Sequence, residues 1–449
     1  MSDCKIKLYR SATVGIISDE FKLLCDPWLT DGEYYGSWSH YPPFDLEKNI
    51  DEINSYDAIY ISHIHPDHCS EETLKRISKN IPIYILSYHA KFLKLKIERL
   101  GFKVIEVLNH EKKKLSKNFI LSIVAADDCD PELCYKFNGC ADINNKENTQ
   151  QIDSISIINC NGKNILNIND CPYDLAKSVL EKIKKSYKID FLLVGYGGAG
   201  PYPQCFQNLD FEQKKVKALK KKEKFLNMSL GYIREINPNF YMPFAGTYVL
   251  TGKLSNLQDL RGVPSLEEAY SYLEKSLSQT KSKCIKLNPG SYFSLTDQTY
   301  SDEYKILNNE DIMKYIENNL KNKKFIYEDD PEISFEELFD LAKLAMIRFT
   351  DKKKELKVFL DTDVLLKVAD RFIHIDNCNN NILIKSENQL SILNKYIIYE
   401  LDKKLLKRIL LGPRFAHWNN SEIGSHIKFF RKPDVFDRKV YNAMSYFHI

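Results

Sequence analysis

The sequence predicts an α/β sandwich, with sheets inside and helices outside, followed by a smaller α+β module. Three observations predict it. Short apolar runs of strand length recur through the first 200 residues, helix-length stretches separate some of them, and the texture changes after about residue 300.

The strand-like runs cover 21–25, 58–61, 83–86, 103–107, 120–124, 155–159, 165–168 and 191–194, and most end in polar loops. Runs of this length, bounded by turn formers, suit strands buried on one or both faces. Residues 70–80 and 173–185 read as helices, with Ser70, Glu72 and Thr73 forming a helix start. Residues 211–235 read as one long helix with seven lysines between Lys214 and Lys224, a pattern that suits a solvated face. Beyond 300, helices are expected at 307–323, 334–350 and 402–411, and strands at 356–360, 371–375, 382–385 and 396–399. The expected division is a catalytic domain over 1–300 and a C-terminal α+β module over 301–449.

Hydrophobic residues make up 43% and charged residues 28%, a globular balance with enough apolar material to exclude water from a site. A net charge of +3 without a clustered basic footprint gives no reason to expect nucleic acid. No run approaches the ~20 apolar residues that span a bilayer, and residues 1–18 lack the apolar core of a signal peptide. A cytoplasmic location is the expectation. Eleven cysteines without a C-x-x-C pair read as free thiols, which argues against a four-cysteine zinc site or a Rieske cluster.

The strongest chemical signal is His63-Ile64-His65-Pro66-Asp67-His68. Histidines two apart at a strand end point to the same side, and Asp67 and His68 follow where the chain leaves the strand. Four donors in six residues can hold two metal ions, with imidazole suiting Zn, Fe or Ni and the carboxylate neutralising charge. Asp170, an acid at the end of the run 165–168, is a further candidate ligand, with a turn or helix-cap role as the alternative. In the loop after 120–124, either Asp127 or Asp128 can take another position. No histidine lies between His110 and His374, so Pro243-Phe244-Ala245-Gly246 offers none. The second metal position is therefore oxygen-rich, vacant, or completed from the polar segment 412–426, where His417 and His426 are the candidates. A carboxylate in place of an imidazole makes the site harder and favours Fe or Mn over Zn. Asp67 is the candidate catalytic base.

The H-x-H-x-D-H run resembles the signature of the metallo-β-lactamase superfamily. That resemblance implies an αββα fold and a dinuclear centre in which Asp170 takes the place of the bridging aspartate. Further motifs occur in order: Asp26-Pro27-Trp28-Leu29, Trp38-Ser39-His40-Tyr41-Pro42-Pro43, Asp170-Cys171, Gly197-Gly198-Ala199-Gly200-Pro201-Tyr202-Pro203 and Pro243-Phe244-Ala245-Gly246. Over roughly 20–250 they resemble the metallo-β-lactamase-like domain of the CMP-N-acetylneuraminate hydroxylase family and its bacterial relatives, without that family's Rieske domain. The pairing of the histidine run with an extra carboxylate is also similar to a di-iron β-hydroxylase of antibiotic biosynthesis. Residues 350–411 resemble the sterol-carrier-like modules appended to some alkylsulfatases of the superfamily.

Two activities follow as expectations. The first is a hydrolase using metal-activated water on an ester, amide or phosphoester. The alternative is a non-haem di-iron hydroxylase acting on a nucleotide sugar or carrier-bound metabolite, with a separate reductase. Either needs one or two divalent ions (Zn or Fe, with Mn next) and a small-molecule substrate. Candidate substrate contacts are His40, Gly198, Tyr202, His417 and His426. The structural alternatives are a packed loop for His40, a sharp turn for the glycines, and a tether rather than a lid for 412–426.

Overall fold

Alternation along the first hairpin sets the layering. The strands Lys5–Arg10 and Thr13–Ile17 pair antiparallel, with Ile6 opposite Ile16 and Leu8 opposite Val14, so these four side chains share one face. That face meets Leu121, Ile123, Ile158, Ile165 and Leu193 of a second sheet in one apolar core. The computed structural model describes residues 3–126 and 153–449. Within them the first sheet has eight strands and the second seven.

Each large sheet contains a parallel section, and parallel strands need crossover connections. In the first sheet, Lys22–Cys25, Ala58–Tyr60, Ile83–Leu86 and Val104–Val107 run parallel. Their crossovers carry the helices Leu46–Asn54, Glu71–Arg76 and Phe92–Arg99, which bury Ile53, Leu74, Leu93 and Ile97 against the outer face. In the second sheet, Lys163–Asn167, Phe191–Gly195 and Phe240–Phe244 run parallel, covered by Tyr173–Ser186 and Phe211–Ile236. The result is the expected helix–sheet–sheet–helix sandwich. Parallel strands that end at one edge bring the following loops together, the usual place for a ligand site in an α/β sheet.

The last strand of the two large sheets ends at Tyr300, and every strand of a third, five-stranded sheet lies after residue 362. The third sheet packs with the helices Phe335–Glu355, Lys403–Leu410 and Arg438–Met444 around its own core. The strand expected at 356–360 does not form there. The preceding helix runs on to Glu355, Lys357 takes a φ of 53°, and the strand begins at Asp363. Two main-chain hydrogen bonds tie the third sheet to the sandwich, from Gln207 N to Phe429 O (2.7 Å) and from Phe429 N to Cys205 O (2.9 Å). The Phe206 and Phe429 rings stack over this junction. Among the described residues, no helix is long and apolar enough to cross a membrane.

Candidate metal centre

The strand Ala58–Tyr60 delivers Ser62 and His63 to the edge of the first sheet, and the helix Glu71–Arg76 starts just beyond His68, capped by the Ser70 hydroxyl. From the facing sheet, the strand Lys163–Asn167 delivers Asp170. The two edges meet. His63, His68 and Asp170 offer donor atoms all within 4.8 Å of one another. His63 Nε2 lies 2.9 Å from His65 Nδ1. His68 Nε2 lies 3.3 Å from Asp170 Oδ2 and 3.7 Å from Asp67 Oδ2.

The hydrogen-bond network fixes which nitrogen of each ring is free. The buried Asp26 carboxylate, at the end of the neighbouring parallel strand, accepts from Ser62 N (2.7 Å) and Ser62 Oγ (2.8 Å). It also accepts from His68 Nδ1 (3.0 Å), which turns His68 Nε2 toward Asp170. Because the Ser62 hydroxyl proton goes to Asp26, its oxygen accepts from His63 Nδ1 at 2.9 Å, leaving His63 Nε2 with a lone pair. His65 Nε2 donates to Asn419 Oδ1 at 3.3 Å, leaving His65 Nδ1 with a lone pair.

Two ring lone pairs 2.9 Å apart repel unless a cation sits between them. Metal–nitrogen bonds of about 2.0–2.1 Å at 90–109° put two ligand nitrogens about 2.9–3.4 Å apart. The donor set therefore fits a metal, with His63 and His65 on one side and Asp67, His68 and Asp170 on the other. Secondary partners of this kind fix ligand orientation and basicity.

Electrostatics agree with the geometry. Burial, with His68 and His65 nearby, pushes His63 well below the usual imidazole range. Burial likewise lowers His65. For His68, burial opposes the charge, but Asp170, Asp67 and Asp26 outweigh it and raise the ring's pKa well above its ordinary value. Burial alone would raise Asp170, yet His68 holds it below the carboxylate range. Asp153, which the sequence reading did not single out, is buried 3.5 Å from His63 Nδ1, and burial together with Asp170 pushes it up to about 7.

The C-terminal segment reaches this centre. Besides Asn419 on His65, His426 Nε2 donates to the Tyr34 carbonyl (2.7 Å) while the Tyr327 hydroxyl donates to His426 Nδ1 (3.0 Å). Tyr34 in turn donates its hydroxyl to Asp67 Oδ1 at 2.5 Å. His417 Nδ1 accepts from Asn419 N as the cap of the helix Trp418–Ile423, and its own main-chain N–H donates to the Tyr35 hydroxyl. His40 is buried against Trp28, and burial with Arg10 nearby brings it down to about 3. Gly198 lies against the Phe225 ring, and Tyr202 packs on Phe206 while its carbonyl accepts from Lys221. Asp127 and Asp128 lie outside the described residues.

Sequence reasoning missed Asp26, Tyr34, Asp153 and Asn419 as site residues. Asp26 carried a usable signal: it ends a strand that pairs in parallel with the one before His63, so the two ends adjoin. The others act across folds of the chain that no local pattern encodes.

Residues 5–208 match the model of the beta-lactamase superfamily domain. Cytidine monophosphate-N-acetylneuraminic acid hydroxylase of Mus musculus is 28% identical over 236 residues, 51% of this chain and 36% of that protein. The Xenopus laevis protein of that name is 30% identical over 234 residues, 51% of this chain and 35% of that protein. The chain thus spans about a third of the length of these curated relatives. Solved structures overlay more loosely. A diiron β-hydroxylase from Streptomyces venezuelae has a TM-score of 0.41 at 13% identity, covering 65% of this chain and 53% of that one. An isothiocyanate hydrolase from Delia radicum gut bacteria has a TM-score of 0.43 at 16% identity, covering 64% and 98%. Overlaps this loose do not choose between hydrolysis and hydroxylation. Residues 5–208 thus resemble the beta-lactamase superfamily domain in sequence, the sandwich and its clustered donors agree with that likeness, and half the chain is similar to the CMP-N-acetylneuraminic acid hydroxylases.

Proposed function

We propose that the chain is an iron-dependent hydroxylase of a small anionic metabolite, with a nucleotide sugar as the first candidate substrate. The observation that carries this reading is the donor set. Three imidazoles are joined by Asp67 and Asp170, with Asp153 alongside, and no late histidine joins them among the described residues. Carboxylate-rich sets favour iron and manganese over zinc. The curated relatives, which carry the name of a hydroxylase, support the same reading.

Iron bound in such a site supplies dioxygen chemistry when electrons reach it. The overall balance takes O2, two electrons and two protons: one oxygen atom enters a substrate C–H bond and the other leaves as water. In this reading the electrons come from a donor outside the described residues, which hold free cysteines. The chain's own residues hold the donors in place. Asp26 and Ser62 fix the tautomers of His63 and His68, Tyr34 holds Asp67, and Asn419 holds His65. The buried aromatic cluster of Trp28, Tyr34, Trp38 and Tyr248 keeps water from one flank.

Hydrolysis is the second reading, favoured by the intact four-donor run and by Asp67, a carboxylate placed to take a proton from water. Metal analysis of protein purified aerobically without added metal separates the two. The expected result is near-stoichiometric iron, with reductant-dependent O2 uptake matched to hydroxylated product. Zinc content with turnover of esters or phosphoesters and no O2 uptake overturns the hydroxylase reading. His65→Ala is expected to lose metal while its circular dichroism stays native.

A further inference from the structure

The long helix Phe211–Ile236 carries its lysines as expected on a solvated face, with one exception. Lys215 pairs with Glu212 and Lys222 with Glu268. Lys221 instead turns inward, and its Nζ donates to the Tyr202 carbonyl at 2.7 Å. Burial followed by Arg261 brings its ammonium down to about 7, with Cys205 acting the other way and Lys224 adding to the fall. Arg261 is 8% exposed. Its Nε donates to Gln258 O (3.1 Å) and its Nη1 to Tyr248 O (2.9 Å), both main-chain acceptors. Gly262 runs against the Lys221 stem so closely that a Cβ would meet Lys221 Cβ and Cδ at 3.0 Å, at a φ of +67°. Lys221 and Arg261 are thus near enough for each to bear on the other, and among the described residues both donate to main-chain carbonyls rather than to a carboxylate. An anion bound beside the two would favour the charged form of Lys221 and offset the cost of its burial.

The loop opposite them has matching groups. The main-chain N–H groups of Gly197, Gly198, Ala199 and Gly200 donate to no acceptor among the described residues. These residues range from half-buried to exposed, so a ligand can reach them. Gly198 lies on Phe225, one turn along the helix from Lys221, and Gly197 lies on Gly246 and Val263, two residues past Arg261. Consecutive free N–H groups in a tight loop form an anion-binding concavity. The loop also starts at the metal centre: a Cβ on Gly195 would stand 2.9 Å from the carbonyl of Asn169, the residue before Asp170. On the other side, the Arg261 guanidinium lies over the Tyr248 ring, which stacks on Trp38 beside Tyr34.

We infer that Lys221, Arg261 and the N–H groups of Gly197–Gly200 form an oxyanion subsite that holds a phosphate ester or carboxylate of the substrate beside the metal centre. This rests on the hydroxylase reading only for the chemistry done at the metal; anion binding is independent of it. The pair neutralises the anion and the glycine loop supplies directional donors. The reacting carbon is then set at a fixed reach from His63 and Asp170.

Calorimetric titration of the full chain with inorganic phosphate, CMP and acetate tests it, both metal-loaded and after chelation, which removes any phosphate contact with the ion. Binding of phosphate or CMP to the chelated protein is expected, weakened at least tenfold in Lys221→Met and in Arg261→Gln, with the metal content of both variants unchanged. Tighter binding of phosphate compounds than acetate assigns a phosphate ester, and the reverse assigns a carboxylate. Wild-type affinity in either variant, or no anion binding by the chelated native chain, overturns the subsite. Should Lys221→Met fail to fold, Arg261→Gln alone decides. If anion binding stands but no hydroxylated product forms, the hydroxylase reading fails and the subsite survives.

Discussion

The two halves of the candidate metal centre are oriented by different parts of the molecule. His63 and His68 are set locally, by Ser62 and by Asp26 on the adjacent parallel strand. His65 and Asp67 are set from outside the sheet that carries them. His65 takes its partner from Asn419, 354 residues away, and Asp67 takes its partner from Tyr34, whose carbonyl is held by His426. The first half forms whenever the first sheet forms. The second half also needs the C-terminal segment docked. Closing a loop 354 residues long rather than the 42 between His68 and Asp26 costs about 2 kcal/mol more in chain entropy by the (3/2)RT ln n rule.

Four measurements sharpen or break that contrast. Asp26→Ala leaves His68 and Ser62 buried without their partner, and is expected to cost about 3–5 kcal/mol in denaturant unfolding. A variant as stable as the native chain would show that the local half is not held by Asp26. Tyr34→Phe removes only the hydroxyl on Asp67 while keeping the carbonyl that His426 uses. Its expected cost is about 1.5–3 kcal/mol in the affinity of the Asp67 side for metal, the worth of a hydrogen bond to a charged group. Asn419→Ala is expected to weaken metal binding about tenfold, the lower end for an outer-shell partner, with little change in melting temperature. Equal binding by this variant and the native chain would make the C-terminal contact incidental.

The fourth measurement concerns pH. Burial pushes the Glu422 carboxyl, in the helix that carries Asn419, up to about 8. A carboxyl whose pKa is raised on folding stabilises most fully below its ordinary pKa, and the stability it lends is lost as pH rises toward about 8. Unfolding free energy should therefore fall between pH 5 and 8 with a slope of at most ~1.4 kcal/mol per unit from this group. Glu422→Gln should flatten the slope. An unchanged slope would place the pH sensitivity elsewhere.

Much of the sandwich was legible because buried parallel strands write themselves as apolar runs. The hairpin Lys5–Arg10 with Thr13–Ile17 was not, since lysines alternate with its core residues and blur the run. The strand Phe240–Phe244 is hard to read as an apolar run by itself, since Pro243 sits within it. In the site, the four donors of 63–68 and Asp170 were readable from spacing and strand ends. Tyr34 and Asn419 were not, because a single hydrogen bond across hundreds of residues leaves no periodicity. His426 was read as a candidate ligand, and the structure puts both its ring nitrogens on Tyr34 and Tyr327.

The distance in sequence between His65 and Asn419 also bears on how the protein is made. Chains emerge from the ribosome N-terminus first, and domains fold as they appear. The sandwich and its histidines can be complete while Asn419 is still to be synthesised. A metal taken up at that stage would be whichever divalent ion the cell offers, and simple affinity ranks zinc above ferrous iron. Docking of 412–426 would then orient His65, through Asn419, after such an ion had entered. Which metal the finished chain would carry then becomes a matter of timing as well as affinity, and recombinant protein made in zinc-rich medium should differ in metal content from protein made in iron-rich medium even at equal final purity.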